Sequence, residues 1–294
     1  MASRPSPDAN AARPQNAAGP ISSTSRFVEA GGLNLHYLDY GTAGRTPMLC
    51  LHGGGAHAHW FDFIASGFTG DYHVRALDHR GHGDSEWSAG EVYGYDQFVS
   101  DLAQAIERLD LRDFVLVGHS MGGTIAVMYA AAHPGRVSRL VVIDSRLNMT
   151  GERIAAMHEV GSRQPRRYAT RDEFVAGFRL RPGGTTATPE VIRHVAWNGC
   201  RQEADGTWRH KFDRAVYAGR LSVNALSCWS SIRIPALLVK GDRSPRITPE
   251  VYAQVKAQAS QVELAEVSGS EHHVTLDNPS GCVAAVSAFL AKTA

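Results

Sequence analysis

No run in this 294-residue sequence approaches the ~18 consecutive apolar residues that a membrane-spanning helix needs. A surplus of charge is also missing: 30 Lys and Arg face 29 Asp and Glu, a formal net charge of +1. Binding to a phosphate backbone or an anionic membrane rests on surplus Lys and Arg, so neither nucleic acid nor membrane is expected as a partner. Cysteine is sparse. Its four copies form no CxxC pair, and Cys50 and Cys282 stand in apolar runs that suit buried free thiols. The first 25 residues, rich in Ala, Pro, Ser and Asn, lack the apolar run of about 7–15 residues that a secretory leader requires. They are expected to form a disordered tail, and the cytosol is the expected compartment. Neither GxGxxG nor GxxxxGK[ST] occurs, so no nucleotide cofactor is expected.

What remains is ordinary globular material, 43% apolar and 20% charged, and long enough to bury one large core. "FVEAGGLNLHYLDYG" has the form of two short strands joined at Gly31-Gly32, a hairpin. "TPMLCLHGGG" and "YHVRALDHRGHGDS" are apolar strands that end in glycine-rich loops. "YDQFVSDLAQAIERLDL" places Phe98, Leu102, Ile106 and Leu109 at helical spacing. After the strand "VSRLVVIDSR" the periodicity is lost. Residues 145–230 hold Pro165, Pro182 and Pro189, Gly183-Gly184, and arginines at 163, 166, 167, 171, 179 and 181. Alternation resumes with "IPALLVKG", "TPEVYAQVKAQA", "VELAEV" and "PSGCVAAVSAFLAK". Strands that alternate with helices predict an α/β fold, a mostly parallel, doubly wound sheet with an N-terminal hairpin. The core is expected in residues 26–144 and 231–294, with 145–230 inserted as a helical cap. The arginines there are expected on a solvated face, the alternative being that one enters the cap pocket and binds a substrate carboxylate. Trp197, Trp208, Phe212, Tyr217 and Trp229 are expected to pack the cap, with some lining an apolar pocket.

"FVLVGHSMGGTIAVMYAAAHP" (114–134) joins a strand pattern to a helix pattern with no break. Gly118-His119-Ser120-Met121-Gly122 marks the joint. GxSxG is weak by itself, but strand and helix flank it here, as a nucleophile elbow requires. Such a turn is tight enough to exclude a Cβ on either side and lifts one hydroxyl above the sheet edge. A serine hydroxyl needs a base. His272, in "VSGSEHHVTLDNP", follows the last strand and precedes the last helix, on the edge where open sheets bind ligands. His273 is adjacent, and only one of the two can face Ser120.

In "LHGGGAHAHW", "LDHRGHGDS", "GHSMGG" and "HHVTLDNP", taken in order and spacing, the chain resembles the α/β-hydrolase fold family, in its lid-bearing serine esterase and lactonase branch. The likeness implies that the catalytic histidine lies seven positions before Pro279, which is His272. It also implies a carboxylate between Ser120 and His272 in chain order. The usual slot, G-x-x-Asp, reads Gly241-Asp242-Arg243-Ser244, so a serine stands where the acid is expected. Asp242 is one candidate. Asp144, at the rigid end of "LVVID", is the other and is favoured. The family likeness places the oxyanion-stabilising amides at Met121 and at Gly54, in "HGGG".

His57-Ala58-His59 evokes a zinc-hydrolase HxHxDH motif, but Asp62 comes two positions late and no histidine follows it, so no metal is expected. Serine at 120 argues against the dehalogenase and epoxide hydrolase relatives, which carry aspartate there. The sequence thus points to a cofactor-free serine hydrolase of a small-molecule ester or lactone. Carbon–carbon hydrolysis or acyl transfer on the same triad, and a ligand-binding protein that keeps the fold, are the alternatives.

Overall fold

Short strands buried on both faces build the centre of the molecule. In this computed structural model residues 19–149 and 151–293 are described. The expected tail falls largely outside them, and its last two residues already belong to a strand. β1 (Thr24–Ala30) and β2 (Leu33–Asp39) form the antiparallel hairpin, turning at Gly31 and Gly32, both at positive φ. β3 (Thr46–Leu51), β4 (Tyr72–Leu77), α1 (Tyr95–Arg108), β5 (Phe114–His119), α2 (Met121–Ala132) and β6 (Val137–Ile143) follow.

The insertion then runs through β7 (Asn148–Met149), α3 (Gly151–Ser162), α4 (Arg171–Gly177), α5 (Pro189–Asn198), β8 (Cys200–Gln202), β9 (Trp208–His210), α6 (Ala215–Ala218) and β10 (Val223–Asn224). β11 (Ala236–Gly241), α7 (Pro249–Gln258), β12 (Val262–Val267), α8 (Val274–Asp277) and α9 (Pro279–Lys292) complete the core. One eight-stranded sheet has the order β1-β2-β4-β3-β5-β6-β11-β12, and from β4 onward every pairing is parallel.

The period of two sends neighbours along each central strand to opposite faces. On β3, Leu49 and Leu51 join the apolar cluster with α1 and α2, while Met48 and Cys50 join the one beneath α9. All four cysteines are free thiols, and Cys50 and Cys282 are buried. No helix among the described residues is long and apolar enough to cross a membrane.

The insertion is less uniformly helical than the sequence predicts, since β8 and β9 form an antiparallel hairpin within it. β7 pairs with β10, so its two ends meet in a short two-stranded neck. Trp229 does not pack the cap. It is fully buried in the main core, on a 3-10 turn (Ser227–Ser231) that rests against α2 and α7. The cap's own apolar contacts, Phe174, Phe178, Leu180 and Val195, close instead on Ala56, Trp60 and Phe63 of the core.

Candidate active site

Parallel strands leave their C-terminal ends on one edge, where the following loops converge. There the β5–α2 turn is forced. Ser120 sits at φ 53° and ψ −118°, a strained conformation for a residue with a side chain. A Cβ on Gly118 would lie 2.4 Å from the Gly122 carbonyl oxygen, and one on Gly122 would lie 2.3 Å from that of Leu51. Only glycine fits at either place. The Ser120 N–H donates to the Ile143 carbonyl (2.9 Å), and the Ser145 hydroxyl donates to the Ser120 carbonyl (2.6 Å). The elbow is thus fastened to the end of β6.

Beyond β6 stands Asp144, fully buried and also at positive φ (45°), its N–H donating to Val239 (2.7 Å). Its Oδ2 accepts from His272 Nδ1 at 2.6 Å, which assigns the ring proton to Nδ1. Nε2 is then left to accept from the Ser120 hydroxyl at 3.1 Å. Asp242, the other candidate acid, lies at the surface. Its two oxygens accept from the Gly269 and Ser270 amides at 2.9 Å each, and it makes no hydrogen bond to His272. It shapes the loop that carries the histidine. His273 points elsewhere, its Nε2 donating to the Pro182 carbonyl of the cap (2.9 Å).

Ser244 shows a contact that the sequence alone does not reveal. In the slot where the family likeness implied a carboxylate, its hydroxyl donates to Asp144 Oδ2 at 2.7 Å, with Arg246 Nε 3.6 Å from the same oxygen. Burial pushes the Asp144 carboxyl up to about 6, while Ser244 and Arg246 pull against that rise. Burial, reinforced by Arg246, holds the His272 imidazole well below its ordinary range. At neutral pH the pair is therefore an ionised carboxylate beside a neutral base. His119 adds a brace, its Nε2–H donating to the His272 carbonyl (3.0 Å).

Gly54 and Met121 border the same cavity as Ser120. Met121 is the first residue of α2, so its N–H has no partner within the helix. The Gly54 N–H donates to no group among the described residues. His52 holds the glycine loop, with Nδ1–H on the Gly53 carbonyl (2.7 Å) and Nε2 accepting from the His79 amide (3.1 Å). His79 and His82, in the turn after β4, are buried beside it.

The cap brings in what local spacing does not announce. His194 of α5 donates to Asp62 Oδ2 (2.6 Å), where His59 also bonds (2.8 Å), while the Tyr40 hydroxyl takes Oδ1 (2.7 Å). The cluster His59, Asp62 and His194 is thereby closed by hydrogen bonds that tie cap to core. Of the expected surface arginines, Arg163 pairs with Glu159 and Arg167 with Asp205, but Arg181 turns into the cavity.

A family model described as the alpha/beta hydrolase fold matches residues 46–279, and the chain belongs to that family. It is 29% identical over 271 residues to a 3-hydroxybutyrate-oligomer hydrolase of Cupriavidus necator, with 85% of this chain and 90% of that protein covered. It is 26% identical over 267 residues to an N-formylmaleamate deformylase of Pseudomonas putida, covering 90% and 95%. Among solved structures, an E-2-(acetamidomethylene)succinate hydrolase matches with a TM-score of 0.80 at 23% identity, over 92% of this chain and all of that one, a likeness of fold. Family and relatives together make the protein a hydrolase.

Proposed function

We propose that the protein is a serine hydrolase that cleaves a carboxylic ester or lactone of a small molecule through an acyl-enzyme. The observation that supports this is the unbroken relay from Ser120 Oγ through His272 to Asp144 at the cavity floor. As the Ser120 oxygen attacks the carbonyl carbon, its proton passes to His272 Nε2. Asp144 holds the imidazole by Nδ1–H and offsets the positive charge that develops on it. The carbonyl oxygen, now an oxyanion, takes hydrogen bonds from the Gly54 and Met121 amides, the latter at the positive end of α2. Collapse of the tetrahedral adduct expels the alcohol, which receives the proton from His272. Water then enters, His272 takes its proton, and a second collapse frees the acid and restores Ser120.

The likeness to a deformylase favours a second reading, cleavage of an amide on the same groups, with His272 protonating a leaving nitrogen. The test is kcat/KM on p-nitrophenyl esters of increasing acyl length and on matching anilides, with Ser120→Ala as the blank. Labelling of Ser120 by a fluorophosphonate, read by peptide mass, accompanies it. Turnover well above the blank together with the label supports the acyl-enzyme, and the ratio of ester to anilide rates decides between the two bonds. Neither turnover nor label on any substrate would overturn the reading.

A further inference from the structure

The cavity above Ser120, about 460 Å³, is lined by five arginines, Arg146, Arg153, Arg181, Arg220 and Arg246, and by no aspartate or glutamate. The remainder of its wall is largely apolar, and burial holds the imidazoles of His119, His272 and His273 below their ordinary range. Those rings are therefore neutral, and the charge of the wall is that of its arginines.

Outside the cavity several arginines are paired, and others that are not, such as Arg166, Arg171 and Arg179, lie at the exposed or half-exposed surface of the cap. Arg163 meets Glu159, Arg167 meets Asp205, and Arg201 and Arg209 share Glu203. Inside it, only Arg246 has a carboxylate within reach, and that oxygen is already engaged by His272 and Ser244. Among the described residues Arg146, Arg153, Arg181 and Arg220 form no ion pair. What sets the cavity apart is burial, since Arg220 lacks a carboxylate while shut away from water.

Arg220 is the most telling of the five. Its side chain enters from the loop after α6 and is 1% exposed. Its one hydrogen-bond acceptor is Met121 Sδ (2.9 Å), a weak one, and Nε has none. The ring of Tyr95 lies 4.9 Å from its guanidinium carbon. A guanidinium taken out of water without an anion is costly, and a thioether and a ring face offset little of that cost. The energetic gap closes when a ligand supplies the charge. A guanidinium fork matches a carboxylate, two N–H bonds to two oxygens. Nη2 also lies 3.6 Å from where a Gly54 Cβ would stand, beside the amide assigned to the oxyanion.

We infer that the substrate carries a carboxylate a few atoms from its reacting carbonyl, bound by Arg220 on the core side and by Arg181 from the cap. The location of the reacting carbonyl rests on the serine reading above. The anion site itself does not.

The probe is glutarate, compared with its neutral diamide and with inorganic phosphate at matched ionic strength. Binding is read by calorimetry and by the rise in melting temperature. Glutarate is expected to bind the wild type and Ser120→Ala alike, with the diamide and phosphate at least tenfold weaker. Arg220→Gln should weaken glutarate by about 10- to 100-fold, the loss of a charge-assisted pair, with partial recovery in Arg220→Lys. Arg181→Gln, at an exposed position, should weaken it as well and covers the case in which the buried substitution prevents folding. In turnover, the preference for mono-p-nitrophenyl glutarate over p-nitrophenyl pentanoate should fall in both variants. Equal binding of glutarate and diamide, or undiminished glutarate binding in the two Arg→Gln variants, would overturn the proposal. Phosphate binding as tight as glutarate would overturn the carboxylate assignment. Failure of the serine reading shows separately, as absent fluorophosphonate labelling with glutarate binding intact.

Discussion

The strand ends beneath the cavity and the cap above it both bury polar side chains, but they satisfy them by opposite means. On the floor most groups have a protein partner, Asp144 Oδ1 being the exception. Asp144 takes His272 and Ser244, His272 takes Ser120, His119 takes the His272 carbonyl, and the elbow is held by Ile143 and Ser145. On the upper walls Arg220, Arg153 and Arg181 have no ion-paired carboxylate among the described residues. In the proposed reaction the floor, with its bonds made, is the preorganised part that supplies the chemistry, and the proposed anion site on the walls supplies the choice of substrate.

Removing groups from the floor should break that contrast hardest. Ser120→Ala is expected to lower kcat by more than about 10⁴-fold, because the relay acts as a unit. Asp144→Asn should cost about 10³- to 10⁴-fold through loss of the proper histidine tautomer, whereas Asp242→Asn should stay within about threefold. Steady-state kinetics on one neutral ester compare all three, and a large loss confined to Asp242→Asn would refute the assignment. The elbow itself is tested by Gly122→Ala. Its methyl would meet the Leu51 carbonyl, and chemical denaturation should show a loss of about 3 kcal/mol or failure to fold.

A subtler test concerns pH. The relay needs Asp144 ionised, and burial sets that carboxyl at about 6. kcat/KM should therefore be level above this pH and fall about tenfold per unit below it. Ser244→Ala removes a donor that favours the charged form, so the acid limb should move to higher pH. A limb that stays in place would deny Ser244 its positioning role. Stability has the opposite sign: with the folded pKa raised, this group's contribution is fully present below the ordinary carboxylate value and is lost as pH rises through about 6.

The smallest effect belongs to the cap. Thr170 caps α4 by accepting from the Glu173 amide (3.1 Å), while Glu173 reaches back to the Ala169 amide (3.0 Å). Thr170→Ala should cost about 1 kcal/mol in a urea melt. Together with an altered glutarate preference, that loss would tie cap stability to substrate choice.

Sequence reasoning succeeded where the constraint is local. The hairpin at Gly31-Gly32, the strand runs, α1, α2 and α9 follow from periodicity and turn chemistry within a few residues. Ser120 was legible because a strand-to-helix turn this tight demands Gly118 and Gly122 around it. The hydrophobicity of Trp229 said that it is buried but not where, and packing against α2 and α7 rather than the cap is a long-range matter. His194 and Asp62 are 132 positions apart, so no spacing could have paired them.

By itself, then, the sequence determined the layered α/β architecture, the elbow serine and a histidine on the same sheet edge, since each is written in short-range pattern. Whether Asp144 or Asp242 faces that histidine depended on the path of the loops after β6 and β11, adjacent strands each followed directly by one of the two residues. The gathering of Arg146, Arg153, Arg181, Arg220 and Arg246 around one cavity was likewise decided only by the tertiary structure. Those side chains come from separate loops and helices, and a guanidinium's sequence neighbours do not reveal whether a carboxylate will stand beside it.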